Sequence, residues 1–388
     1  MWRMIIFGLV TTTVWSLVHV YLGRHILASL NLSAKGKRIG WAVVGAHGVL
    51  APIALILRRT SAGGPAWDVL QLVTYVGMGF VALLFLVYLS VDIARGLLWG
   101  AERLLKKQPN PDRRQFLTGS FNLGAFALTG VATGVGFEKA RRIPDIKEVT
   151  VEIPNLHANL DGFTIAQLSD IHIGPTLKRD FLRGVVDKTM TINADLIAIT
   201  GDSVDAYVSD IGEDMRELQR LKAPYGVFMV TGNHEYYFDG VAWANYYAEI
   251  GLNTLNNAHH LLRVDRARLL VGGVTDYRAG QMVPSHASDP HKAIENAPEH
   301  DFSLLLAHQP SSVYEAAKAG WKMQISGHTH GGQFFPFNFV VGMVHEFSAG
   351  LAKHLETFIY VSRGAGYWGP PNRLGAPSEI TKITLRRV

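Results

Sequence analysis

Five times between residues 163 and 332 a short apolar, β-forming run stops and a His, Asp or Asn follows at once. Phe163–Ser169 leads into Asp170-Ile171-His172, Asp195–Thr200 into Gly201-Asp202, and Gly226–Thr231 into Gly232-Asn233-His234-Glu235. Phe302–Leu306 leads into Ala307-His308, and the run ending at Ile325-Ser326 into Gly327-His328-Thr329-His330. A single histidine after a strand is ordinarily a core or loop residue. Five in register constrain the fold, because an open α/β sheet delivers side chains to the crevice at the carboxyl ends of its strands. Helical patterns near 178–193, 213–221 and 241–250 fall between these runs, so the alternation predicts an α/β sandwich of two mixed sheets flanked by helices.

The residue types say what converges there. Asp and Asn bring hard oxygens and His a borderline nitrogen, and a chain without cysteine offers no thiolate. That donor set points to a metal site, and it leaves Mn, Zn, Fe and Mg open.

In order, Asp170-Ile-His172, Gly201-Asp-Ser-Val-Asp205, Gly232-Asn-His-Glu235, His308 and Gly327-His-Thr-His330 resemble the motif series of the calcineurin-like metallophosphoesterase superfamily. The resemblance covers roughly residues 147–388. It is closest to the membrane-anchored or exported bacterial branch, through Gly327–Gln333, Val361–Gly366, Arg373 and Pro377–Ile380. The likeness implies a four-layer α-β-β-α sandwich and two divalent metal ions sharing Asp202. Asp170, His172 and His330 would complete one site, and Asn233, His308 and His328 the other. It implies hydrolysis of phosphate esters by a metal-bridged water, with His234 over the phosphate as acid and Asp205 orienting that imidazole. For Asp205 the alternative is a solvated turn residue; Glu235 is read as loop support.

Phosphoprotein phosphatases of the superfamily have Arg immediately after the GD-x-x-D aspartate, where Ala206 stands here. One guanidinium fork is missing, which turns the expectation away from phosphoproteins. Arg373 is either a replacement substrate-binding cation or a plain surface arginine. The expected substrate is a phosphodiester or lipid-linked phosphate, the alternative a phosphomonoester or nucleotide. Residues 275–300, rich in turn formers, read as an inserted loop with a short helix around 292–296.

With 388 residues the chain has room for more than this domain, and its hydrophobic share of 48% with mean hydropathy +0.13 is high for a purely water-exposed protein. The excess lies in front. Residues 4–23, 39–57 and 69–91 are nearly free of charge and about as long as a helix must be to cross the hydrocarbon layer. A fourth stretch, 116–137, rich in Gly, Ala, Thr and Ser, follows Asp112-Arg-Arg-Gln-Phe-Leu117, which resembles a twin-arginine export signal. Domains are therefore expected at 1–137 (transmembrane), 138–146 (connector) and 147–388 (phosphoesterase).

Arg24, Lys35, Lys37 and Arg38 crowd one loop, and Arg95, Arg103, Lys106, Lys107, Arg113 and Arg114 another, whereas the loop between has Arg58 and Arg59. Positive loops stay inside, so the phosphoesterase domain is expected outside a multi-pass inner membrane. The net charge of +5 is partly explained by these loops, so no nucleic-acid partner is expected. A non-catalytic membrane sensor would tolerate lost ligands, yet every ligand position is filled. A transporter would need a polar pathway, which His19 and His47 alone do not make. The segment Gln333–Val344, with four phenylalanines in twelve residues, is either core packing or an apolar lip beside the site, extended by Tyr367 and Trp368.

Overall fold

Side chains alternate between the two faces of a strand, and in the second half of this chain the central strands are apolar on both faces, which requires cover on both sides. The computed structural model describes residues 2–30, 32–57, 64–104 and 111–388. They fall into two compact units, Met1–Phe137 and Glu138–Val388.

The first unit is helical: α1 (Trp2–Ser29), α2 (Ala34–Leu57), α3 (Pro65–Leu104) and α4 (Pro111–Arg141), the last continuing into the second unit. Leu22, Leu84, Tyr88 and Ala125 join α1, α3 and α4 in a small buried cluster. Polar side chains add cross-links: His19 Nε2 lies 2.9 Å from His47 Nδ1, Tyr21 donates to Asp92 at 2.7 Å, and Tyr88 to Asn122 at 2.8 Å. Among the described residues two helices are long and apolar enough to cross a membrane, Pro65–Leu97 and Ser120–Arg141. Only 33% and 22% of their apolar windows are buried, unlike the core helix of a water-soluble domain. The other expected spans, 4–23 and 39–57, are also helical but do not reach that measure among those residues. Arg58, Arg59, Lys106 and Lys107 lie outside the described residues; Arg113 and Arg114 fall in the first turn of α4.

In the second unit the strands are β1 (Asp145–Ile153), β2 (Thr164–Leu168), β3 (Leu196–Thr200), β4 (Val227–Val230), β5 (Asn253–Thr254), β6 (Ala258–Val264), β7 (Ala267–Gly273), β8 (Phe302–Leu306), β9 (Met323–Ser326), β10 (Gly350–His354), β11 (Thr357–Val361) and β12 (Glu379–Arg387). They form two six-stranded sheets, β1-β12-β2-β3-β4-β5 and β10-β11-β9-β8-β7-β6. Both are mixed: β2, β3 and β4 run parallel while β12 opposes β2, and β7, β8 and β9 run parallel while β6 opposes β7.

The layers follow from the alternation. Ile165, Leu196, Ala198 and Phe228 point inward and pack with Val271, Leu304, Leu306 and Ile325 of the other sheet. Their neighbours Ala166, Ile197, Ile199 and Met229 point outward, against α5 (Arg179–Met190), α6 (Val208–Met215) and α8 (Gly240–Glu249), the short α7 (Asn233–Tyr237) lying before α8. On the far face of the second sheet Leu270 and Leu305 pack with Ala293 of α9 (Pro290–Ile294) and Ala316 of α10 (Val313–Ala319). The result is an α-β-β-α sandwich. Each fully buried aliphatic side chain contributes about 1.5–3 kcal/mol. Gln167 ties the layers together, donating to Thr200 Oγ1 at 3.0 Å and across to Ser326 O at 2.9 Å. The last helix, α11 (Phe337–Val344), has no buried residue.

Candidate metal centre

Five strand ends from two sheets open on one place. Asp170 and His172 follow β2, Asp202 and Asp205 follow β3, Asn233 and His234 open α7 after β4, His308 follows β8, and His328 and His330 follow β9. All nine are at most 7% exposed except His328, which is partly buried. To turn these side chains inward the backbone leaves its ordinary regions: Asp170, His172, Asp202, His328 and His330 all have positive φ, between 50° and 72°. Such strain persists only where surrounding structure fixes it, and it gathers at functional sites. Two glycines permit the approach. A Cβ on Gly232 would land on Asp202 Oδ1, and one on Gly327 on Asp170 Oδ2.

The donor atoms gather in three groups, each within 4.8 Å: Asp170, His172 and His330; Asp202, His308 and His328; and His172, Asp205 and His234. In the third the carboxylate is already occupied, since His234 Nδ1 and His172 Nδ1 lie 2.5 Å and 3.2 Å from Asp205 Oδ1 and donate to it. That bond leaves His172 Nε2 facing His330 Nε2 at 3.0 Å. Likewise His308 Nδ1 donates to Thr200 O at 2.8 Å, and its Nε2 lies 3.2 Å from His328 Nδ1 and 3.1 Å from Asp202 Oδ2.

The first two groups fit cations. Ring nitrogens face each other in pairs beside carboxylates, an arrangement that a shared positive ion satisfies, and the buried Asn233 Oδ1 has no hydrogen-bond partner. Electrostatics agree. Burial works against charge on Asp170 and Asp202, yet His330 beside the first and His308 beside the second hold both well below the usual carboxylate range. Burial keeps His328 and His330 neutral, at about 3 and about 4. At His308 burial also opposes charge, but Asp202 outweighs it and raises the pKa to about 10.

Glu235 organises the loops: its carboxylate accepts from the backbone N–H of Asp202 at 3.0 Å, Ser203 at 2.8 Å and Gly232 at 2.7 Å, and from Tyr247 OH at 3.1 Å. Burial, then repulsion from Asp202, raises its pKa to about 7. Arg373 is not where a substrate-binding cation would be. It is 0% exposed, donating to Gly366 O at 3.1 Å, to His330 O at 3.1 Å and to His330 Nδ1 at 2.8 Å. A buried guanidinium needs protein acceptors for its donors, and here they come from the backbone and ring behind a candidate ligand. Asp276, buried and accepting from Gln309 at 2.8 Å, escaped sequence reasoning, although it too follows a strand end, that of β7. Its pKa is raised by burial, against the pull of His308. Trp368, 47% exposed, lies 6.2 Å from the His234 ring.

Residues 163–332 match the calcineurin-like phosphoesterase family. A Danio rerio protein named transmembrane protein with metallophosphoesterase domain is 32% identical over 334 residues, 83% of this chain and 75% of its own length. The chain belongs to this family. An uncharacterized metallophosphoesterase of Helicobacter pylori is 35% identical over 277 residues, 70% of this chain and 72% of that one. One from Campylobacter jejuni is 29% identical over 392 residues, 98% of both chains. The phosphoesterase is accordingly a hydrolase of phosphate esters, and its His/Asp clusters are able to hold metal.

Proposed function

We propose that this phosphoesterase hydrolyses phosphodiesters or lipid-linked phosphates with two divalent ions, at the outer face of a cell membrane in which its N-terminal helices are anchored. The observation that carries the chemistry is the pair of buried clusters with the His234–Asp205 contact of 2.5 Å at their edge. Asp170, His172 and His330 would hold one ion and Asn233, His308 and His328 the other. Asp202 would serve both, since it lies in one cluster and is charge-coupled to His172 of the other. Bound there, such ions polarise phosphoryl oxygens and acidify water near neutral pH.

The remaining work falls to protein groups. With Nδ1 turned to Asp205, His234 presents Nε2 for the leaving oxygen, and the carboxylate stabilises the imidazolium that must give up its proton. The backbone N–H of His234 donates to Asp202 Oδ1 at 2.8 Å, so one turn positions both the acid and the carboxylate that would hold the ions. Arg373 fixes the His330 ring from behind. Ala206, whose carbonyl accepts from Trp243 at 3.0 Å, supplies no clamp for a phosphoprotein.

Two mostly exposed apolar helices support membrane association, as does the naming of Danio rerio and bovine relatives as transmembrane proteins. The crowding of Lys and Arg at alternate ends of the helices, with Arg113-Arg114 in the first turn of α4, supports a multi-pass anchor and an outward catalytic unit. The test is an assay of the full-length, metal-replete protein in lipid vesicles against soluble diesters, lipid extracts and phosphopeptides. Diesters or lipid phosphates should lead; a strong preference for phosphopeptides contradicts the substrate class.

A further inference from the structure

The segment after His330 forms no strand, and beyond the buried Phe334 it turns outward. Gln333–Val344 carries no charged residue, and α11 within it buries nothing. Phe335, Phe339, Val340, Met343 and Val344 are 50%, 62%, 46%, 78% and 72% exposed. The exposed Trp368 is fastened to the start of this segment: Gln333 Nε2 donates to Trp368 O at 3.0 Å, and Trp368 N–H donates back to Gln333 Oε1 at 3.1 Å. A patch this apolar, on a helix whose exposed face lacks charge, needs a cover other than water.

What covers it follows from the chain's own tether. α4 runs unbroken from Pro111 to Arg141, and its last turn belongs to the catalytic unit, where Ala140 is 0% exposed in the core. Arg141 donates to Thr176 O at 2.7 Å and reaches Tyr367 OH at 3.4 Å, one residue from Trp368. The loop that Arg141 meets through Tyr367 also carries the exposed Trp368.

We propose that α11, with Phe335 and Trp368, dips into the bilayer that α4 crosses and holds the metal centre at headgroup level. The inference rests on the membrane placement proposed above and adds a second, reversible contact to it. His330 stands five residues before Phe335 in sequence, and Trp368 borders His234. A phosphate in a lipid headgroup would therefore meet the site without its chains leaving the membrane.

The absence of cysteine allows a direct test. Met343→Cys, Val344→Cys, Val131→Cys in α4 and Glu299→Cys are each labelled with a nitroxide in the full-length protein, reconstituted into phosphatidylethanolamine/phosphatidylglycerol vesicles. Relaxation by oxygen and by a water-soluble nickel chelate then reports depth. The labels at 343, 344 and 131 should favour oxygen, as in hydrocarbon, and the label at 299 should favour nickel. A lipid-buried 131 with both 343 and 344 in water overturns the inference and leaves the anchor standing. All four in water overturns both. Nickel exclusion at 343 and 344 with spin–spin broadening between labels would mean that a second copy, and not lipid, covers the helix, which also overturns it.

Discussion

In the catalytic unit Ile165, Leu304, Leu306 and Ile325 are 0% exposed, whereas in the helical unit Leu9, Val43, Val73 and Leu123, one from each helix, are 64%, 63%, 63% and 76% exposed. The ionisable pairs differ as well: the catalytic unit buries Asp170 and Asp202 among imidazoles, while in the helical unit the His25–Asp92 pair, 2.7 Å apart, is about 30% exposed. One unit takes its apolar surface out of water and spends the strain on a charged crevice. The other leaves apolar surface outward, and among its described residues two helices are long and apolar enough to cross a membrane. The difference teaches that the two units present different things to their surroundings: clusters able to hold metal in the first, outward apolar surface in the second.

Among changes that leave the cations in place, breaking the acid should have the largest effect. His234→Ala is expected to lower turnover by about 10²-fold or more while metal content stays normal, as when a general acid is lost. The loss should shrink for esters whose leaving group needs no proton; an equal loss for good and poor leaving groups would mean that His234 stabilises phosphate charge. Next comes the lipid side. Val131, 65% exposed at the middle of the apolar part of α4, should cost about 3 kcal/mol of membrane insertion when changed to Asp. The carbonate-resistant fraction of the protein reads this, and no change in it would place that helix in water.

The smallest effect belongs to the water-facing surface of the catalytic unit. Glu217, 4% exposed, is bonded by Arg179 at 2.6 Å, Arg220 at 3.0 Å and Arg183 at 3.3 Å. Burial would raise its pKa, but the three guanidiniums bring it from 4.5 down to about 2. A carboxyl depressed in the folded state contributes its full stability above the unfolded pKa, and that contribution is lost as pH falls from 4.5 toward about 2. The arginines are 46–49% exposed, so screening leaves about 1–2 kcal/mol. The stability difference between wild type and Glu217→Gln, from urea unfolding, should be constant above pH 5 and shrink through that window. A difference independent of pH would reduce the cluster to packing.

Much of the catalytic unit was legible because strand alternation and strand-end chemistry are local signals. The helical patterns at 178–193 and 241–250 emerge as Arg179–Met190 and Gly240–Glu249; the one at 213–221 begins earlier, with α6 at Val208, and finishes as a 3-10 turn over Arg216–Arg220. Three things were not legible. The left-handed backbone at Asp170, Asp202 and His330 is set by tertiary contacts; Asp and His tolerate it better than most residues, but the types alone do not say which of them adopt it. Arg373 looked like a surface or substrate cation because its partners, Gly366 O and the His330 ring, meet it only in the folded loop. The phenylalanines after His330 suit a core strand or an exposed lip equally well in sequence, and the structure divides them, burying Phe334 and exposing Phe335 and Phe339, which no spacing announces.

The central claim, that Asp202 joins two clusters into one metal centre, is tested most directly by counting metal in the purified full-length protein and in Asp202→Asn, with turnover measured on the same samples. Two ions per chain are expected in the wild type, with both sites weakened together and turnover lost in the variant. Two ions retained with near-normal turnover would contradict the assignment.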